Sequence, residues 1–400
     1  MHIMFIDEYK MVNYTGGIEK VLCHLANALI ERGYKVTIVC LDTEHGIPAF
    51  YLNKKVNFIN LCYDIENNPY KTIKYYVKKG EKEILRTFGG AQMVFKGHRL
   101  KDPKKQYFWD EFIKRVRHVM DIRCPDVLIC VSIDSTYYIQ RAVGHTNIPI
   151  ISMCHTDVNE VIKNSSQNRL EAWKKSVVVQ VLMRSYKDIL SSYGIHNVVY
   201  IPNFVEQMSK EQQVDLSQCH YKIISVGRVE KIQKRQYLLI QAFAKIASKY
   251  PQWTVHIFGE IDNKHYKHEL DKLIINEGLK NRVVFEGVAY DIPNQLQQSD
   301  IFTIPSAYEG FGLALTEAMS VGLPALGYKS CTAVNELIQN NTTGFLCEDG
   351  IDDFANKLAL LMTNQALRIQ MGNCARNFTK QFAPHVIWDS WEKIFKSIEK

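Results

Sequence analysis

Glu309 and Glu317 stand eight residues apart in PSAYEGFGLALTEAMSVGLP (305–324), with Gly310 and Gly312 just after the first of them. A β-rich run, IFTIP (301–305), leads into this stretch, and a helical pattern, LALTEAMSVG (313–322), follows it. Glycines at such a turn let the backbone approach a ligand closely, and the unpaired amides of a helix start suit a phosphate. A carboxylate beside a phosphate would only repel it, so these acids need another target. Pairs of sugar hydroxyls, which donate hydrogen bonds to a carboxylate, are the natural one. The pattern points to a ligand that carries both phosphate and sugar. Either glutamate alone would read as an ordinary solvated acid; the strand, turn and helix around them give the pair its meaning.

A second set of polar residues lies in SVGRVEKIQKRQYLLIQAF (225–243). Gly227 and Arg228 follow a strand, and Lys234 opens a helix. An Arg fork and a Lys point charge at a strand end can neutralise a diphosphate. Taken alone, Arg228, Lys231, Lys234 and Arg235 would equally read as a solvated basic loop. In the first half, SMCHTD (152–157) ends another strand. His155 stands there, where a neutral imidazole satisfied by backbone is the plain alternative, and Asp157 and Glu160 follow as candidates to orient an acceptor. Gly16 and Gly17 allow a loop to approach a ligand, although a tight strand-to-helix turn accounts for them too.

The elements that position these residues alternate between short β-rich runs and helical patterns, the signature of parallel βαβ units. In the first half the runs are HIMFID (2–7), KVTIVCL (35–41), VNFINL (56–61), DVLICVS (126–132) and IPIISMC (148–154). Between the first two, Ile18, Val21, Leu22, Leu25 and Leu29 share one helical face, which Gly33 ends. The second half runs YKIISVG (221–227), TVHIFG (254–259), VVFEG (283–287), IFTIP, PALGY (324–328) and GFLCE (344–348), with a helical pattern after each. The glycines near residue 16 do not spell the dinucleotide fingerprint, which argues against a nicotinamide cofactor. EQMSKEQQVDLSQ (206–218) reads as a linker. We therefore expect an N-terminal domain over 1–205, a C-terminal domain over 219–380, and a final amphipathic helix within 381–400 that either crosses back to the first domain or caps its own.

The 400 residues carry 46% hydrophobic and 23% charged side chains, a globular balance that excludes a disordered chain. Ten scattered cysteines without a C-x-x-C pair or a His/Cys cluster argue against a zinc site or a disulfide framework, and for a reducing compartment. The opening MHIMFIDEYK meets Asp7 and Glu8 too early for a secretory signal, and no apolar run approaches the ~20 residues of a membrane span, so a cytoplasmic protein is expected. The net charge of +7 is uneven. Residues 71–117 hold 14 Lys/Arg against five Asp/Glu, leaving the rest at −2. That excess predicts an anionic partner. From Tyr70 onward, Ile73, Tyr75, Tyr76 and Val77, then Tyr107, Phe108, Trp109 and Phe112, alternate with lysines and arginines. Aromatics beside cations suit an anionic bilayer surface; two soluble helices with aromatic cores and Lys-rich outer faces are the alternative. No nucleic-acid motif accompanies the charge.

The GR…K element followed about eighty residues later by EGFGLALTEAM resembles the donor site of the family-four glycosyltransferases, retaining enzymes of the GT-B fold. The resemblance is strongest over about 220–350 and extends to Gly16-Gly17, to VYIPNFV (199–205) and to the last helix. It implies two Rossmann-like α/β domains facing a central crevice. It implies that Arg228 and Lys234 bind the diphosphate of a nucleotide sugar, supported by Gly227 and by the backbone of Gly310, Phe311, Gly312 and Leu313. Glu309 would hold hydroxyls of the transferred sugar and Glu317 those of the ribose. Val288, Ala289 and Tyr290 would meet the base, and His155 the sugar near the reacting centre. Two departures stand out: Arg235 occupies a position where the family often has glycine, and the loop before Lys234 is one residue longer than is common, which leaves Lys231 as an alternative ligand. The resemblance further implies a UDP-linked donor, a glycan or lipid-linked acceptor bound by the first domain, no metal or other cofactor, and front-side attack with retention; the aromatics and cations of 71–117 add the expectation of peripheral attachment to the cytoplasmic face of a membrane. By fold alone, a sugar-nucleotide epimerase, a phosphorylase or a non-catalytic partner subunit are the alternatives.

Overall fold

The computed structural model describes all residues except 9, 66–67, 90–93, 96–97, 100–101, 145–146, 290 and 400. The chain divides into two compact units, Met1–Tyr200 with Ile394–Lys400, and Ile201–Lys393.

In the first unit, β1 (His2–Ile6), β2 (Lys35–Cys40) and β3 (Asn57–Asn60) lead into an insert. The insert holds a helix, Ile73–Gly89, a small antiparallel hairpin of β4 (Val94–Phe95) and β5 (His98–Arg99), and a second helix, Pro103–Arg123. The sheet resumes with β6 (Val127–Cys130), β7 (Ile150–Cys154), β8 (Val178–Val181) and β9 (Val198–Tyr200). Its seven strands are parallel in the order β3-β2-β1-β6-β7-β8-β9. All five residues of β1 are buried, as a central parallel strand covered on both faces requires. The first helix, Gly17–Glu31, buries Val21, Leu22, Leu25 and Leu29, and Ile18 at its start is half-buried.

The second unit contains β10 (Lys222–Val226), β11 (Thr254–Phe258), β12 (Val283–Gly287), β13 (Ile301–Ile304), β14 (Ala325–Tyr328) and β15 (Gly344–Cys347). They form a parallel sheet in the order β12-β11-β10-β13-β14-β15. Both sheets are Rossmann-like, in agreement with the GT-B α/β fold.

The division between units falls at Tyr200/Ile201 rather than at 205/206. The expected linker is also not a loose tether. The Val214 amide donates to the Val321 carbonyl at 3.0 Å, Leu216 is buried, and Lys210–Gln212 forms a 3₁₀ turn, so this stretch packs into the second unit. The last helix, Pro384–Ile398, buries Ile387, Trp391 and Ile394, and its final residues group with the first unit, where Phe395 lies 5.6 Å from Tyr34 ring to ring.

In the insert the two aromatic groups part company. Tyr107, Trp109 and Phe112 are buried, and Trp109 and Phe112 pack in one cluster with Met4, Ile6 and Val39 of the sheet. That is the core arrangement. The Ile73–Gly89 helix instead exposes Ile73, Tyr76, Val77 and Ile84, spaced as one helical stripe. Among the described residues, no helix is long and apolar enough to cross a membrane.

One backbone contact in the second unit is unusually close. Gly259, with φ +147°, lies so near Gly227 that a Cβ on it would fall 2.0 Å from the Gly227 carbonyl oxygen. Gly278 has φ +67° but open space around it. We expect Gly259→Ala to lower stability by about 3 kcal/mol, because the backbone must move, and Gly278→Ala by only about 1 kcal/mol, the left-handed strain alone. Urea denaturation of the two variants measures the difference, and equal small losses would contradict the close packing.

Candidate functional site

The strand order of the second sheet reverses between β10 and β13, and ligands of open parallel sheets gather outside the carboxyl ends of strands at such a reversal. Gly227 and Arg228 follow β10 there, and the Pro305 to Glu309 loop follows β13. Two ties join these loops. The Gln233 carbonyl accepts from the Ala307 amide at 2.7 Å, and the Arg235 guanidinium donates to the carbonyls of Pro305 at 3.0 Å and Ser306 at 2.8 Å.

Across the joined loops Lys234 Nζ donates to Glu309 Oε1 at 2.6 Å, with the two side chains only 19% and 8% exposed. Gly227, with φ +156°, backs this lysine: a Cβ there would lie 3.4 Å from Lys234 Cε. Arg228 is exposed, and among the described residues its guanidinium has no ion-pair partner. Lys231, the alternative cation, is turned to Glu269 at 2.6 Å, so the structure brings Lys234 and not Lys231 to Glu309. Arg235 has φ +48°, a conformation that favours glycine. Its guanidinium also lies 5.0 Å from the Tyr328 ring centre, and this side-chain anchoring accompanies the strained backbone.

Gly312, with φ +82°, is the N-cap of the Leu313–Val321 helix, and no side chain caps that end. Its first amides have no partner within the helix and are oriented as an anion requires. Glu317 lies half-buried one turn further along the same helix. Phe311 turns its ring into the core, 5.5 Å from Phe382, which leaves only its backbone to serve a ligand, while Gly310 and Leu313 are half-buried. Val288 is exposed and Ala289 half-buried just after β12; Tyr290 lies outside the described residues. Ser306 was not singled out by sequence reasoning, yet its Oγ is buried without a hydrogen bond among the described residues. A serine after a strand carries no signal by itself.

The remaining candidates belong to the first unit. His155 follows β7, and although the residue is half-buried, its Nε2 is enclosed without a hydrogen bond among the described residues. Burial pushes its pKa down to about 4, so the ring is neutral near pH 7. The backbone partner expected for a satisfied histidine is therefore lacking at Nε2. Asp157 caps the Val158–Asn164 helix through the amides of Asn159 and Glu160 and accepts from Tyr186 Oη at 3.1 Å. Buried and engaged at both oxygens, it positions that helix instead of presenting a free carboxylate to an acceptor. Glu160 is half-buried, 3.5 Å from Lys163 Nζ. Gly16 makes room for a carboxylate of its own unit, since a Cβ there would fall 2.2 Å from Glu19 Oε2. Gly17, the first residue of its helix, is exposed.

The first sheet reverses its strand order between β1 and β6, and there the Ser132 hydroxyl donates to Glu8. Burial, and then the neighbouring Asp7 carboxylate, push the Glu8 pKa up to about 8, and burial pushes Glu19 up to about 7. Sequence reasoning missed Glu8 and Ser132 because 124 residues separate them. Among the described residues, no group of His, Cys, Asp and Glu is arranged to hold a metal ion.

Known proteins resemble this chain in both halves. The family model Glycosyltransferase Family 4 matches residues 15–207 and Glycosyl transferases group 1 matches 206–378. An uncharacterized glycosyltransferase of Haemophilus influenzae is 24% identical over 389 residues, 96% of this chain and 97% of that protein. The UDP-Gal:alpha-D-GlcNAc-diphosphoundecaprenol alpha-1,3-galactosyltransferase of Escherichia coli is 30% identical over 206 residues, 49% of this chain and 52% of its own length. The capsular polysaccharide biosynthesis glycosyltransferase CapM of Staphylococcus aureus is 25% identical over 257 residues, 63% of this chain and 64% of its own. Among solved structures, Anabaena Alr3699/HepE in complex with UDP has a TM-score of 0.73 at 18% identity, covering 99% of this chain and all of that one.

Two outcomes follow from the geometry. Lys234→Ala should weaken UDP binding at least tenfold, about 1.4 kcal/mol, whereas Glu309→Gln, which releases Lys234 from its ion pair, should leave UDP affinity equal or higher; calorimetry with UDP alone checks this, and equal losses in both variants would contradict it. For His155, the folded-state pKa lies below the unfolded value near 6.5, so its contribution to stability is present above pH 6.5 and is lost as pH falls toward 4. His155→Gln should flatten the pH dependence of the denaturation midpoint across that window, and an unchanged slope would contradict it.

Proposed function

The chain belongs to the family-four glycosyltransferases and is a glycosyltransferase, and on that footing we propose that it moves a hexose or N-acetylhexosamine from a UDP-sugar to a glycan or lipid-linked acceptor of surface polysaccharide, lipopolysaccharide or glycolipid synthesis. The Lys234–Glu309 pair at the strand-order reversal carries this reading. A diphosphate offers Lys234 a stronger anionic partner than one carboxylate, and with Arg228 and the Leu313–Val321 helix start it gains three sources of positive potential. Glu309, released from Lys234, is then able to accept hydrogen bonds from sugar hydroxyls. Glu317 takes the ribose hydroxyls, and the backbone around Val288 and Ala289 meets the base. The Escherichia coli relative named for a UDP-galactose donor and a diphosphoundecaprenol acceptor, and the UDP bound to Anabaena Alr3699/HepE, support the choice of UDP and of a lipid-linked acceptor.

The reaction proceeds on one face of the sugar with retention. The acceptor oxygen forms a bond to the anomeric carbon while the bond from that carbon to the phosphate oxygen breaks. The electron pair leaves with the nucleoside diphosphate, whose departing oxygen takes the acceptor proton. Arg228, Lys234 and the helix amides stabilise the charge developing on that phosphate, the largest electrostatic demand of the step, without a divalent metal. By the family resemblance His155, neutral in its enclosed position, is assigned to the transferred sugar.

The exposed stripe of Ile73, Tyr76, Val77 and Ile84, flanked by Lys74, Lys78 and Lys79, supports attachment to an anionic membrane surface at the insert. Glu309→Ala and Arg228→Ala are expected to abolish sugar transfer from a UDP-sugar while leaving the circular dichroism spectrum unchanged. Full transfer activity in both variants would overturn the assigned site, and a product of inverted anomeric configuration by NMR would overturn retention.

A further inference from the structure

The insert contains a cavity of about 330 Å3 between its two helices, within the ~300–1,000 Å3 range of small-molecule sites. Leu41, which directly follows β2, takes part in its wall, so the cavity adjoins a carboxyl end of the first sheet. Pro69, Tyr70, Tyr75, Tyr107 and Phe108 supply its other apolar and aromatic faces.

The polar groups around it are largely engaged already. Tyr107 Oη donates to the Pro69 carbonyl at 3.1 Å and lies 2.8 Å from Thr72 Oγ1. Asp102 holds Lys82 at 2.7 Å and the Lys105 amide at 3.0 Å, and Glu111 lies 3.5 Å from Arg115. A pyranose needs several uncommitted partners for its hydroxyls, and among the described residues the neutral ones left on this wall are the hydroxyls of Tyr70 and Tyr75. It offers apolar and aromatic faces instead. Two cations complete it: Lys104, whose Nζ stands 5.5 Å over the Tyr75 ring, and the exposed Lys105. Neither ammonium has a carboxylate partner among the described residues.

The geometry points to an alkyl or prenyl phosphate as the occupant, its chain against the aromatic wall and its phosphate met by Lys104 and Lys105. This rests on the lipid-linked acceptor proposed above and deepens it, since the cavity would hold the lipid end of that acceptor. The Tyr75 ring beside Lys104 displaces part of the water around its ammonium, which strengthens its attraction for a phosphate.

Calorimetric titration of the full chain with farnesyl phosphate, below its micelle concentration, tests the assignment against farnesol, glucose 1-phosphate and inorganic phosphate. Farnesyl phosphate should bind saturably and at least fivefold more tightly than any of the other three. The double variant Lys104→Ala/Lys105→Ala and the single variant Tyr75→Ala should each weaken it at least fivefold, with unchanged UDP binding as the control for folding. Equal or tighter binding of glucose 1-phosphate would make this a saccharide site and overturn the assignment, as would farnesyl phosphate titrations that neither variant alters. Flotation on phosphatidylglycerol vesicles separates the two levels of the argument. A protein that floats but does not bind farnesyl phosphate loses the cavity assignment alone, and one that binds farnesyl phosphate but ignores vesicles keeps it and loses the membrane-surface reading.

Discussion

The second domain is organised around one ion pair, Lys234 with Glu309, held largely away from water by two loops that leave adjacent strands. A half-buried pair of this kind is poorly tolerant of losing one member, because the survivor keeps its desolvation penalty without its partner. The local backbone is arranged to maintain it. Gly259 approaches the Gly227 carbonyl, Gly227 leaves space against the Lys234 stem, and Arg235 ties the lysine loop to the carbonyls of Pro305 and Ser306 ahead of Glu309. Each contact fixes the next. A site with an unbalanced lysine would be a fixed trap for any anion; on the proposed reading, a nucleotide sugar would replace this internal pairing and satisfy both groups together, phosphate for the lysine and hydroxyls for the glutamate.

Much of this arrangement was legible in the sequence, for physical reasons that also explain the gaps. Strands buried on both faces read as short continuous apolar runs, so all six strands of the second sheet were visible from KIISV to GFLC. In the first sheet β8, with Gln180 inside it, and the three-residue β9 gave no such run. The glutamate pair and the Arg228/Lys234 pair were legible as sets because glycines and a helix start stand at fixed distances from them. Their contact was not, since the adjacency of β10 and β13 is a matter of sheet order. Glu8 and Ser132 show the same limit: they meet only because β1 and β6 are neighbours.

The strain at Arg235 carries a related lesson. The sequence has arginine at a position where the resembled family often has glycine, and sequence alone assigned no conformation to it. The structure assigns one: the position has positive φ, and the arginine holds it with a guanidinium bonded to two carbonyls. In the insert, likewise, one aromatic-and-lysine pattern resolves into two structures. The Pro103–Arg123 helix turns Trp109 and Phe112 into the core, whereas the Ile73–Gly89 helix leaves a stripe outside. The sequence reading weighed a membrane surface against two soluble helices with aromatic cores, and which face meets protein depends on what the sheet presents.

The charge of the chain follows this division: a nearly neutral second half, where potential is concentrated in a few placed groups, and a basic insert on the first domain. The central claim is that the site around Lys234 and Glu309 takes a nucleoside diphosphate sugar. The most direct measurement is the thermal stability of the unaltered protein with UDP-, GDP- and ADP-sugars, because a ligand at a hundredfold excess over its Kd stabilises the fold by ~2.7 kcal/mol. The account predicts a rise of several degrees in Tm with a UDP-sugar, larger than with the GDP- or ADP-sugars, and a protein whose Tm no nucleotide sugar moves would contradict it.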